Sequence, residues 1–87
     1  MTPELMDKLN SIITFPVHLD DETALKIWDL LHDYFSDKSF YIVSNGNTYC
    51  VKPTIKSAYE LYYRIIPDDN VELHLYEIYN KGLITIK

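Results

Sequence analysis

The sequence predicts an α+β fold with elements in the order α-α-β-β-α-β-β, an antiparallel sheet of two hairpins packed on helices. Three observations predict it. Two stretches near the start repeat apolar residues at helical spacing behind capping residues. An Asn-Gly pair at 45–46 divides two runs of β-branched and aromatic residues, and Gly82 closes a second alternating stretch. The 87 residues make one domain over 1–87, with room for a single core. A hydrophobic fraction of 47% against 24% charged places the chain among globular rather than disordered sequences.

The first helix starts at Thr2-Pro3-Glu4. Threonine caps, proline suits the first helical position, and glutamate favours the positive end of the helix dipole. Leu5, Met6, Leu9, Ile12 and Ile13 form its stripe, and Phe15-Pro16 closes the segment because a residue before proline avoids helical angles. Asp20-Asp21-Glu22 opens the second helix, with an apolar stripe of Ala24, Ile27, Trp28, Leu31, Tyr34 and Phe35. Glu22, Lys26, Asp29 and Asp33 fall on its other face.

Asn45-Gly46 predicts a two-residue type I′ turn, since both residues tolerate positive φ. Ser44 then faces Asn47, Ile42 faces Tyr49 and Phe40 faces Val51. Phe40, Ile42, Tyr49 and Val51 share the core face, while Tyr41, Val43, Thr48 and Cys50 share a half-covered one. The third helix runs from about Thr54 to Ile66 and stops at Pro67. Ala58, Leu61, Tyr62 and Ile65 make its stripe, with Tyr59, Tyr63 and Ile66 beside it.

Residues 70–87 support two readings. Asp69 with Glu72 suits a capping box for a helix over 70–81 followed by a strand over 83–87. The β-branched and aromatic content favours a hairpin instead. Asn80-Lys81-Gly82 then forms a type I turn with a glycine bulge. Tyr79 faces Leu83 and Ile78 faces Ile84, so Tyr76, Ile78, Ile84 and Ile86 share the apolar face. The alternation slips near Leu75–Tyr76, a place for a bulge. The hairpin is the favoured reading.

The net charge of −5 disfavours nucleic acid and anionic membranes as direct partners. Its distribution is lopsided. Residues 1–37 hold eight acids against two lysines, a balance of −6, whereas residues 38–87 hold five acids against six bases, a balance of +1. No apolar run approaches the ~20 residues that span a bilayer, and the start MTPELMDKLN has neither the basic nor the apolar part of a secretory signal. A single cysteine forms no internal disulfide, which fits a reducing cytoplasm.

Catalytic patterns are scarce. Cys50 has only Tyr49 and Val51 beside it, nothing that lowers a thiol pKa, and reads as a strand residue rather than a nucleophile. His18, His32 and His74 are not at metal-ligand spacing, and two glycines build no phosphate loop. The expectation is no enzyme, no cofactor and no metal. The carboxylates at 20–22 are accounted for by capping.

Two features remain. Glu22, Asp29, Asp33 and Asp37 line one outward face, a negative surface suited to a basic partner. Eight tyrosines are too many for a small core to bury with satisfied hydroxyls, so several should reach the surface, with Tyr59 and Tyr63 the best candidates for aromatic anchors. The reading is a small acidic protein-binding inhibitor that docks on the basic surface of a larger protein, such as a nuclease or another enzyme handling nucleic acid. Small immunity proteins and phage anti-defence inhibitors such as anti-CRISPRs share this profile of size and charge. The alternative is a homo-oligomeric accessory or regulatory protein of a larger complex, for example a homodimer formed through exposed tyrosines and an open sheet edge.

Overall fold

The computed structural model describes residues 2–35, 39–65 and 72–87. It shows the expected order. Helix α1 (Pro3–Ile12) and helix α2 (Asp21–Leu31) are followed by strands β1 (Ser39–Ser44) and β2 (Tyr49–Lys52), helix α3 (Ile55–Tyr62), and strands β3 (His74–Tyr79) and β4 (Gly82–Thr85). A 3-10 turn at His32–Tyr34 extends α2. The strand at His74–Tyr79 decides for the second hairpin over a helix across 70–81. The Asp69 of the capping-box reading, with Ile66 and Pro67, lies outside the described residues.

The helix starts are set by side chains. Thr2 accepts from the Leu5 N–H at 3.2 Å, and Asp20 from the Thr23 N–H at 2.8 Å. Thr54 accepts from the Ser57 N–H at 3.1 Å while the Ser57 hydroxyl returns to the Thr54 backbone N–H. Helix α3 ends earlier than expected, at Tyr62. Its last turn tightens, with the Arg64 N–H bonding the Leu61 carbonyl at 3.0 Å, one residue closer than α-helical pairing.

The sheet is antiparallel in the order β2-β1-β3-β4. β2 and β3 both run against β1, so they are parallel to each other, and α3 is the crossover that joins them. Residues facing opposite ways on β1 and β3 separate two cores. Phe40, Ile42, Tyr76 and Ile78 pack with Leu5, Leu9, Ile13, Leu19, Ala24, Ile27 and Leu31, so α1 and α2 cover this face. Val43 and Leu75 pack with Ala58, joined by Tyr41, Tyr59, Leu61, Tyr62, Ile65 and Ile86, so α3 covers the other. The domain is therefore three layers, with its half-covered face closed by a helix of its own. Its radius of gyration of 12.0 Å equals the ~12 Å of a compact chain of this length.

Both hairpin registers differ from expectation. In the first, Ser44 pairs with Tyr49 and Ile42 with Val51. The loop has four residues, not two, and only Gly46 takes a positive φ, 93°. Asn45 Oδ1 explains this choice: it accepts from the Asn47 N–H at 3.1 Å, the Thr48 N–H at 2.9 Å and the Thr48 hydroxyl at 3.0 Å. The Gly46 carbonyl also accepts from the Val17 N–H at 2.7 Å, which ties the loop to the α1–α2 connection. Because the slip is two residues, the faces assigned to Phe40, Ile42, Tyr49 and Val51 survive, and only Thr48 leaves its strand.

In the second hairpin the slip is one residue. Tyr79 pairs with Gly82 and Ile78 with Leu83, around a two-residue loop in which Asn80 and Lys81 have φ of 49° and 67°. Both being positive marks a type I′ turn in place of the expected type I turn with bulge. A one-residue slip turns β4 over. Leu83, not Ile84, packs on the main core, and Ile84 stands 55% exposed. Ile86 moves to the α3 side with Leu75. A bulge does occur opposite Leu75, whose carbonyl accepts from both the Ile86 N–H (2.8 Å) and the Lys87 N–H (3.3 Å). The adjacent apolar pair Leu75–Tyr76 has a further cause, since the two side chains enter different cores.

Candidate functional site

The α1–α2 layer is strongly acidic. It carries seven exposed carboxylates: Glu4 and Asp7 on α1, Asp20, Asp21 and Glu22 at the start of α2, and Asp29 and Asp33 farther along. Against them stand Lys8 and Lys26, both exposed, for a balance of −5 over residues 2–35. The described residues from 39 onward hold Glu60, Glu72 and Glu77 against Lys52, Lys56, Arg64, Lys81 and Lys87, a balance of +2. The charge asymmetry of the sequence thus becomes an asymmetry between layers of the fold.

Within that layer, α2 places Glu22, Asp29 and Asp33 outward, as expected from its 3.6-residue period. The row is not uniformly negative. Lys26 meets Glu22 at 3.8 Å, with both side chains solvated, so the pair is weak. His32 Nε2 lies 3.1 Å from Asp33 Oδ1. Asp37, the fourth member of the expected row, lies outside the described residues. Leu25 is 39% exposed on the same side of the helix, an apolar point beside Glu22 and Asp29. At the start of α2, hydrogen bonds from the Thr23 backbone and then its hydroxyl hold the Asp20 carboxyl below its usual pKa, with a smaller contribution from His18.

Under this face, α2 is fixed to the second hairpin through Trp28. His32 stacks on the indole with centroids 4.1 Å apart and planes 7° apart, its Nδ1 2.9 Å from the Trp28 carbonyl. The Lys81 ammonium lies 5.8 Å from the same ring. Of these contacts the Lys81–Trp28 approach is the one that links the acidic helix to the second hairpin.

The tyrosines meet the surface expectation in part. Tyr34, Tyr63 and Tyr79 are exposed, Tyr76 is buried, and Tyr41, Tyr49, Tyr59 and Tyr62 lie between. Burial raises the phenol pKa of Tyr76 and of Tyr49, whose hydroxyl donates to Asn10 Oδ1. Tyr59 is less free than expected, because it packs on the α3-side core. Helix α3 does bring Tyr59 and Tyr63 together, but it lies across the sheet from α2. The structure therefore does not join the acidic row and the tyrosine pair into one surface. Sequence reasoning also missed exposed Tyr79 and Ile84 beside the open β4 edge; the signal was the choice of a two-residue turn at Asn80-Lys81.

Cys50 is half-buried on the α3 face, with its Sγ 3.9 Å from the Val51 carbonyl. Among the described residues no group of three or more His, Cys, Asp or Glu could hold a metal ion, and no helix is long and apolar enough to cross a membrane. No family model, characterised protein or solved structure matches the chain.

Proposed function

We propose that the protein is a small cytoplasmic inhibitor that binds another protein through its acidic α1–α2 layer. Its target is a larger enzyme with a basic surface, such as a nuclease or another enzyme that handles nucleic acid. The observation that carries this reading is the seven exposed carboxylates against two lysines on one layer of the fold. A layer of that sign is attracted over a Debye length to a groove built for phosphates and raises the rate of encounter. Once docked, it occupies the volume that nucleic acid needs and presents carboxylates to the lysines and arginines that would hold the backbone. Asp29 and Asp33 are the members of the α2 row that stand exposed with no lysine or arginine in ion-pairing reach among the described residues, Asp33 having His32 Nε2 at 3.1 Å.

Affinity capture from the host lysate identifies the target, and the double charge reversal Asp29→Lys/Asp33→Lys tests the surface. The reading expects the variant to lose the captured enzyme and its inhibition while keeping the wild-type circular dichroism spectrum. Unchanged capture would sink it.

The open β4 edge, with Ile84 55% and Tyr79 56% exposed, favours a second reading as a homo-oligomeric accessory protein. Light scattering at micromolar concentration separates the two: the inhibitor reading expects a monomer.

A further inference from the structure

On the side of the sheet away from the acidic layer, tyrosines of α3 gather around one lysine. Tyr59 and Tyr63, one helical turn apart, stack with centroids 6.0 Å apart and planes 15° apart. Tyr62 meets Tyr63 edge-on, at 5.3 Å and 89°. The Lys87 ammonium lies 5.9 Å from the centroids of both Tyr59 and Tyr63. The backbone delivers it there. The Lys87 N–H and carbonyl both bond to Leu75 through the bulge, and His74 Nδ1 lies 3.1 Å from the same carbonyl.

Two features show a place suited to a cation and reachable from solvent. A hydrogen bond with Tyr63 and the attraction of that side chain raise the Lys87 pKa, with smaller contributions from Tyr59 and Tyr62. Yet its distance is at the outer limit of about 6 Å over which a ring face attracts a cation, and Tyr63 remains 70% exposed. A cation from outside can therefore reach the Tyr63 ring from solvent.

We propose that the stacked Tyr59–Tyr63 pair, walled by Tyr62, is a recognition site for an alkylammonium group, the side chain of a lysine on a protein partner, and that Lys87 is its internal occupant in the free protein. The negative faces of the rings select positive charge. Stacking holds the rings in place before binding, which lowers the ordering cost. A partner lysine enters by displacing Lys87, so removing Lys87 strengthens the site rather than weakening it. The site stands on α3 and does not depend on the acidic layer.

The test titrates the full chain with tetramethylammonium chloride and, in parallel, methylammonium chloride, against sodium chloride at equal ionic strength. The ring-proton NMR signals of Tyr59 and Tyr63 are followed; the two salts separate a methylated from an unmodified lysine as the source of the group. Lys87→Gln is expected to give saturating shifts, with the wild type about two- to fivefold weaker and Lys87→Gln/Tyr63→Ala giving none. Equal responses in all three proteins, or no response in Lys87→Gln, would overturn the proposal. A second reading needs no added ligand. The Lys87 ε-methylene protons of the wild type should be shifted upfield by the rings and return in Tyr63→Ala; unshifted protons in the wild type would remove Lys87 from the site.

Discussion

Replacing Leu83 and Ile84 singly with threonine distinguishes the observed β4 register from one slipped by a residue. Threonine keeps the strand preference, so the contrast reports burial. Leu83 pairs with buried Ile78 and packs on the main core. Its replacement loses roughly two methyl-sized groups at about 0.8 kcal/mol each, discounted for partial burial, and sets a hydroxyl against apolar neighbours at a cost of about 1 kcal/mol or more. The sum is about 2–3 kcal/mol. Ile84 is 55% exposed, and its replacement should cost about 0.5 kcal/mol. Urea unfolding followed by Trp28 fluorescence reads the difference. With a slope of about 1–1.5 kcal/mol/M for a chain of this size, Leu83→Thr should lower the midpoint by about 2 M and Ile84→Thr by less than about 0.5 M. An equal or larger loss in Ile84→Thr would refute the register, and with it the exposed patch at the β4 edge.

Two further outcomes follow from the cores and the titrating groups. Phe40 is fully buried at the centre of the sheet and stacks on Phe35 with centroids 5.0 Å apart. Phe40→Ala should cost about 3–5 kcal/mol of the ~4–13 kcal/mol expected for a domain this small, seen as a broadened or lost cooperative transition in thermal circular dichroism. Stability should also fall at both ends of the pH scale. Tyr76 and Tyr49 have raised pKa values in the fold, so above about pH 10 the unfolded chain loses protons that the folded one keeps, and stability drops as pH rises. The raised Lys87 works in the same direction, its contribution disappearing as pH rises through its folded pKa. Asp20 is lowered, so its contribution disappears as pH falls below 3.8. Urea midpoints measured from pH 3 to 11 should show a plateau between these limits; a midpoint rising from pH 9 to 11 would contradict the tyrosine assignment.

Much of the fold is written locally. The caps Thr2, Asp20 and Thr54 mark three helix starts, and each accepts the hydrogen bond its position requires. Alternation assigned both faces of the first hairpin, and a two-residue register slip left them intact because side chains repeat every two residues. The second hairpin was less legible. Lysine rarely takes positive φ, so Gly82 drew the turn toward itself, whereas the protein bends at Asn80 and Lys81. The register then shifted by an odd number and exchanged Leu83 for Ile84. The apolar pairs Ile42–Val43 and Leu75–Tyr76 carried the sign that the sheet is covered on both faces. The acidic row was legible because α2 is an ordinary amphipathic helix. Its separation from Tyr59 and Tyr63 was not, since helical spacing does not say which face of a sheet a crossover helix will take.

The central claim, that the α1–α2 layer is the binding surface, is tested most directly by the affinity of the captured enzyme for three proteins: wild type, Asp29→Lys/Asp33→Lys, and Tyr63→Ala. The account predicts that charge reversal weakens binding by about 10- to 100-fold at low salt, through a slower association rate, and by less as salt rises. It predicts that Tyr63→Ala, on the opposite face, leaves that affinity within about twofold. Equal affinity and equal salt dependence for the wild type and the charge-reversed protein would contradict it.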